Sequence, residues 1–174
     1  MLDIDLQLIR NIPDFPKTGI QFKDITPLLA DPKNFEETIK AFLDKSASSK
    51  FIAGIEARGF IFAAAVAQAG SKGFIPLRKS GKLPGPVEQQ SYQLEYGEAM
   101  LEIHKGIYPI NSSVTIVDDV LATGGTALAA IKLCQKINLH VDSVVFLMEI
   151  PGLGGRSQIN QHFPDLQISV LVAE

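Results

Sequence analysis

The 174-residue chain is 46% hydrophobic and 20% charged, an ordinary globular composition at a length that suits one domain with a full core. A net charge of −3 offers no basic field for nucleic acid or for an anionic membrane, and the most apolar stretch, residues 59–70, is too short to span a bilayer. The lone Cys134 excludes an internal disulfide, and the acidic start Met1-Leu2-Asp3-Ile4-Asp5 lacks the pattern of a signal peptide, so a cytoplasmic protein without nucleic-acid or membrane partners is expected.

In chain order, Asp31 and Pro32 form a cap and first turn for an amphipathic helix whose apolar positions run through 35–43. Residues 51–55 read as a strand. Residues 60–69 are apolar on every side and rich in alanine, which predicts a helix buried on both faces. A second strand covers 73–77, with Pro76 near its end, where a missing donor costs least.

Residues 80–98 break the pattern, with glycines, prolines and polar side chains in no sustained period. So long a loop in a compact domain is usually functional. The segment reads as a mobile flap with a short hairpin, its return strand at 99–103.

The second half is plainer. Residues 113–117 form a β-branched run that ends at Asp118 and Asp119. A helix follows over 126–137, where Ala127, Ile131 and Cys134 recur at helical spacing. Residues 141–148 and 167–172 are further strands. Continuous apolar runs, without alternation, point to a parallel sheet covered on both faces, hence an α/β fold.

Chemistry concentrates where the 113–117 strand meets the next helix. In Ala122-Thr123-Gly124-Gly125-Thr126, backbone N–H groups of a tight turn face one concavity, and the helix start adds partial positive charge. Gly124 and Gly125 let a phosphate approach the backbone, and Thr123 and Thr126 add hydroxyl donors. No lysine follows the glycines, so this is not a Walker A loop. Asp118 and Asp119 suit the adjacent 2- and 3-hydroxyls of a ribose, because a carboxylate accepts from two neighbouring donors. His104, His140 and His162 have no metal-ligand spacing, Cys134 reads as a packing thiol, and the glycine-rich 152–156 segment reads as a helix start.

Residues 117–126 resemble the phosphoribosyl pyrophosphate (PRPP) motif of type I phosphoribosyltransferases. Three further segments resemble the adenine branch of that family: 15–29, which corresponds to its base-pocket signature; Gly54-Ile55-Glu56-Ala57-Arg58-Gly59-Phe60, its pyrophosphate loop; and 78–85 with 91–97, its flexible catalytic loop. Lys23 stands where the family commonly has arginine, and Glu56-Ala57 where it often has Asp-Ser. The resemblance implies one domain over 1–174, a mostly parallel sheet with helices on both faces, a small base-binding hood in 1–30 and a lid loop at 78–98.

It also implies a reaction, in which adenine and PRPP give AMP and pyrophosphate with Mg²⁺, by a homodimer. Under it, Arg58 binds pyrophosphate with help from Arg78, Lys79 and Lys82 and from a cis peptide at Glu56-Ala57; Asp118 and Asp119 hold the ribose; and Glu95 shuttles the proton of adenine. Phe22 either stacks on adenine or belongs to the core. Main chain around Gln21 and Lys23 reads the base edge, and Ile150 walls the pocket. Two alternatives stay open: a different purine (hypoxanthine, guanine or xanthine), and a nucleotide-sensing regulator of the same fold that has no catalysis.

Overall fold

The computed structural model describes residues 4–94 and 97–172. A short 3₁₀ turn, Leu6–Leu8, leads into β1 (Arg10–Ile12), which pairs antiparallel with β2 (Phe22–Asp24) as a separate two-stranded sheet. Then come α1 (Thr26–Ala30), α2 (Pro32–Lys45), β3 (Phe51–Ile55), α3 (Gly59–Ala69) and β4 (Gly73–Lys79). The hairpin β5 (Val87–Leu94) and β6 (Gly97–His104) precedes β7 (Ser113–Leu121), α4 (Gly125–Lys136), β8 (His140–Glu149), α5 (Gly155–His162) and β9 (Gln167–Val172).

Among the described residues, seven strands form the main sheet in the order β5-β6-β4-β3-β7-β8-β9. From β4 to β9 all pairings are parallel, and the β5/β6 hairpin extends one edge antiparallel to β4. Alternate residues of each central strand enter different cores, as the twofold pleat requires. Ala53, Ile116 and Val144 pack with Ala127, Ile131 and Cys134 of α4 on one face. Ile52, Val117 and Val145 pack with Phe42 of α2 and Phe62 of α3 on the other. This is the expected α/β architecture, and burial pushes the Cys134 thiol up to about 12, in keeping with a packing role.

Several boundaries differ from the sequence reading. The β7 strand runs on through both aspartates to Leu121, because Asp118 and Val120 keep their ladder partners Phe146 and Met148. The helix capped by Asp31, whose carboxylate accepts the Asn34 N–H, extends to Lys45. The hairpin in the flap is long: Val87 pairs with His104, and the register continues to Leu94 and Gly97. Glu88 anchors its base through Lys105 at 2.8 Å, and Lys136 donates to the Gln89 carbonyl. Helix α3 is not buried on both faces, since Ile61 is 42% exposed and Ala64 and Gln68 also face outward.

Candidate functional site

In a parallel sheet the carboxyl ends of the strands open on one side, and their loops build the crevice there. Here β3 ends into Glu56, Ala57 and Arg58, β7 into residues 122–124, β8 into Ile150, and β4 into the loop that holds Lys82.

The turn after β7 is shaped by one contact. Gly124 has φ +87°, and a β-carbon there would lie 2.7 Å from the carbonyl oxygen of Gly155, the first residue of α5. Only glycine tolerates both the conformation and the approach. The turn opens into a cavity of about 80 Å³ lined by Asp118, Ala122, Thr123, Gly124 and Thr126, five of the residues the sequence singled out, together with Val120, Leu121, Ala127 and Phe146. Gly125 begins α4 and faces the hairpin, where its β-carbon position lies 3.3 Å from the Gln93 carbonyl.

A larger cavity of about 480 Å³ lies beside it and shares Val120 and Ala122 as walls. Gly19, Ile20, Gln21, Phe22 and Lys23 line its hood side, and Arg58, Ile150 and Leu153 complete it. Phe15 packs edge-on against Phe22 with ring centroids 5.1 Å apart, and the Phe15-Pro16 peptide is cis. Phe22 thus lines a cavity and is only half-buried, which separates it from the core. Ile20, Val120 and Leu153 lie within segments the sequence singles out but carry no role of their own there, because an apolar side chain at a cavity wall has no signature of its own.

Arg58 lines the larger cavity and reaches from it to the acids at the end of β7. Its Nε lies 2.7 Å from Asp119 Oδ2, its Nη1 donates to the Lys23 carbonyl at 2.8 Å, and its guanidinium lies 4.8 Å from the centre of the Phe22 ring. The sequence reading puts this arginine on pyrophosphate; its contacts in the structure are Asp119, the Lys23 carbonyl and the Phe22 ring.

The two aspartates are electrostatically strained. Burial, then the negative charge of Asp119, raise Asp118 well above the usual carboxylate range, against the Asp119 N–H that its Oδ1 accepts at 2.9 Å. Burial also raises Asp119, with Arg58 pulling the other way. A β-carbon at Gly59 would lie 2.8 Å from Asp118 Oδ1, so the start of α3 comes directly against this acid. Asp118 lines the smaller cavity and the adjacent Asp119 is buried against Arg58, so two acids share one nearby cation, a charge balance that leaves room for a divalent ion. Among the described residues no group of three or more ligating side chains could cage such an ion alone.

The pyrophosphate-loop residues are tied to the flap base. The Glu56-Ala57 peptide is cis, as the resemblance implied. The Glu56 carboxylate accepts both Arg78 Nε and Nη2 at 3.2 Å and the Lys79 N–H at 2.9 Å. Burial alone would raise Glu56, but Arg78, the Lys79 N–H and the nearby Lys82 charge hold it below its usual range. Arg78 is therefore occupied by Glu56 and the Lys82 carbonyl, while Lys79 and Lys82 are exposed. Glu95, the expected proton shuttle, and its neighbour Tyr96 lie outside the described residues. The histidines are scattered: His104 meets the Pro84 carbonyl, His140 pairs with Asp142 at 3.5 Å, and His162 meets the Gln158 carbonyl.

The model of the phosphoribosyl transferase domain matches residues 4–162. An adenine phosphoribosyltransferase of Francisella tularensis subsp. novicida is 46% identical over 159 residues, covering 89% of this chain and 91% of its own length. A crystal structure of adenine phosphoribosyltransferase from Thermoanaerobacter pseudethanolicus superposes with a TM-score of 0.89 at 45% identity, covering 97% of this chain and 96% of its own. The Saccharomyces cerevisiae enzyme, complexed with an imino-altritol bisphosphate and adenine, superposes at 0.88 with 36% identity, covering 95% of each chain.

Proposed function

Because the chain belongs to the phosphoribosyltransferase family, we propose that it acts in purine salvage, joining adenine to C1 of PRPP to give AMP and pyrophosphate. The observation that carries this reading is the pair of adjoining cavities. A small turn of backbone donors suited to a phosphate shares Val120 and Ala122 with a larger, mostly apolar space suited to a flat base; Asp118 lines the small space, and Arg58 lines the large one and pairs with the adjacent Asp119.

The residues divide the work as follows. N–H groups and hydroxyls of residues 122–126 cradle the 5-phosphate. Asp118 and Asp119 accept the ribose hydroxyls and offset the positive charge that grows on the ring as the bond to pyrophosphate breaks. Mg²⁺ bound with PRPP would supply neutralising charge at the diphosphate, with Asp118 and Asp119 as the acids nearest to it. Ala57 and Glu56 present backbone at the leaving group, with Lys79 and Lys82 adding charge from the flap base and Arg78 holding Glu56 in place.

Phe22 stacks on adenine, and Ile150, Val120 and Leu153 close the apolar walls. Main chain at Gln21 and Lys23 reads the base edge, with Arg58 fixing Lys23 from behind. Glu95 takes the proton that leaves adenine once the flap closes, which also excludes water.

The exposed apolar face of α3 around Ile61 fits a second copy of the chain, giving a homodimer, and the cytoplasm is the fitting compartment. No helix among the described residues is long and apolar enough to cross a membrane. The test is release of AMP and pyrophosphate when the protein is mixed with adenine, PRPP and Mg²⁺. Turnover of hypoxanthine above that of adenine refutes the base assignment, and binding of PRPP without product favours the sensor.

A further inference from the structure

Glu102 is a charged residue where a strand has little room for one. It lies on β6 with Leu101 and Ile103 on either side, all three at most 1% exposed, and it stands opposite Arg78 in the ladder with β4. A buried carboxylate is costly unless donors surround it. Its Oε1 accepts the backbone N–H groups of Lys82 and Leu83 at 2.8 Å each, and its Oε2 accepts Gln89 Nε2 at 3.3 Å. Burial would raise this acid, yet the N–H donors of Leu83, Gly81 and Lys82 hold it below the usual range, so the charge persists at neutral pH.

The same short segment is gripped from its other side. Arg78 Nη1 donates to the Lys82 carbonyl at 3.0 Å, and the Arg78 guanidinium is bound to Glu56. The backbone of Lys82 is therefore fixed at both its N–H and its C=O, between a buried carboxylate on β6 and an arginine locked to the turn after β3. Its side chain is exposed, and its charge is felt at Glu56. A flexible amine held at its root loses less freedom when it engages an anion than one on a free loop.

We propose that Glu102 is a positioning residue for the pyrophosphate end of the site, fixing the backbone of Lys82 so that its ammonium meets the diphosphate of PRPP. This rests on the reading of the chain as a phosphoribosyltransferase. Glu102 touches no substrate and acts through Lys82. The bare alternative is that Glu102 only holds the hairpin together. That role would lower the melting temperature or the active fraction and leave the two substrates equally affected.

The experiment compares steady-state kinetics of the unaltered protein, Glu102→Gln, Lys82→Ala and the double variant, in both directions of the reaction, with melting temperatures beside them. Glu102→Gln keeps one acceptor oxygen but removes the charge and sets an amide against Gln89. It should raise KM for PRPP and for pyrophosphate about tenfold, while KM for adenine and for AMP stays within about twofold. Added to Lys82→Ala it should change nothing further, because two groups acting through one contact do not add.

If Glu102→Gln fails to fold, Leu83→Pro removes one of the N–H groups from the carboxylate without touching the core. It should give a smaller rise confined to the same two substrates. The proposal fails if KM values for adenine and PRPP rise together, if that for PRPP is unchanged, or if the effects of Glu102→Gln and Lys82→Ala multiply. Absence of turnover in the unaltered protein sinks the proposed function and is distinguishable from all of these.

Discussion

Gly155 opens α5, and by helix propensity alone Gly155→Ala should stabilise that helix by about 0.8–1 kcal/mol. The structure says the opposite. A β-carbon at this position would lie 2.3 Å from the Ala122 carbonyl oxygen and 2.8 Å from Leu121 Cδ1. Moving that oxygen out to ordinary contact near 3.4 Å needs a shift of about 1.1 Å, and both partners are held: Ala122 by the end of β7, and α5 by Arg156, which binds Glu149 and the Ile168 carbonyl. Overpacking of this kind costs about 1–3 kcal/mol, and a clash with backbone belongs at the upper end. The net loss is then about 1–2 kcal/mol, or a melting temperature lower by roughly 2–8 °C for a domain of this size. The shift falls on the turn after β7, and if that turn holds the phosphate as proposed, a misplacement of about 1 Å costs up to about 100-fold in rate. Thermal unfolding and kcat/KM for PRPP are the assays, with Ser157→Ala on the exposed side of the same helix as control. An unchanged or higher melting temperature with kcat/KM within twofold would show that the turn is not set by this contact.

Three further outcomes are expected. Asp118 is raised on folding by burial and by Asp119, so it binds its proton more tightly in the folded state. Its contribution to stability is therefore fullest below the unfolded carboxyl's pKa of about 3.9 and is lost as pH rises through the higher folded value. Asp118→Asn should accordingly gain in melting temperature over the unaltered protein at alkaline pH and lose that gain as pH falls toward the unfolded carboxyl's value of about 3.9; a difference that does not change with pH contradicts the assignment. Asp119→Asn removes a charge from the ion pair with Arg58 and from the developing cation, and kcat/KM should fall on the order of 100-fold; a near-wild-type value removes Asp119 from the chemistry. Glu95→Gln should lower kcat on the order of 100-fold while KM for PRPP moves less than about threefold, and an unchanged kcat makes this glutamate loop filler.

The parts of the molecule that were legible in the sequence are those where one local pattern decides the structure. The strands β3, β7, β8 and β9 are continuous apolar runs because both sheet faces are covered, and the residues of the phosphate turn carry their chemistry in their types. The β5 strand was read as flap because Val87-Glu88-Gln89-Gln90-Ser91-Tyr92-Gln93-Leu94 sits at a sheet edge, where one partner strand and a partly wet face impose no strong alternation. The hood strands are three residues each, too short to show a period. Helix α3 carries apolar residues all round, and periodicity cannot tell a face that meets the sheet from one that meets solvent.

The same division runs through the site. Asp118, Asp119 and Arg58 are visible as types, whereas Glu102 is one acid in an apolar strand, and Gly155 one glycine in a glycine-rich stretch. What makes these two matter is a partner far away in the chain: the Lys82 and Leu83 amides for Glu102, and the Ala122 carbonyl for Gly155. Groups that meet substrate must have a particular chemistry and so declare themselves, while groups that place them need only a particular distance. Arg58 shows both sides of this, since its identity follows from charge but its direction is set by Phe22, Lys23 and Asp119.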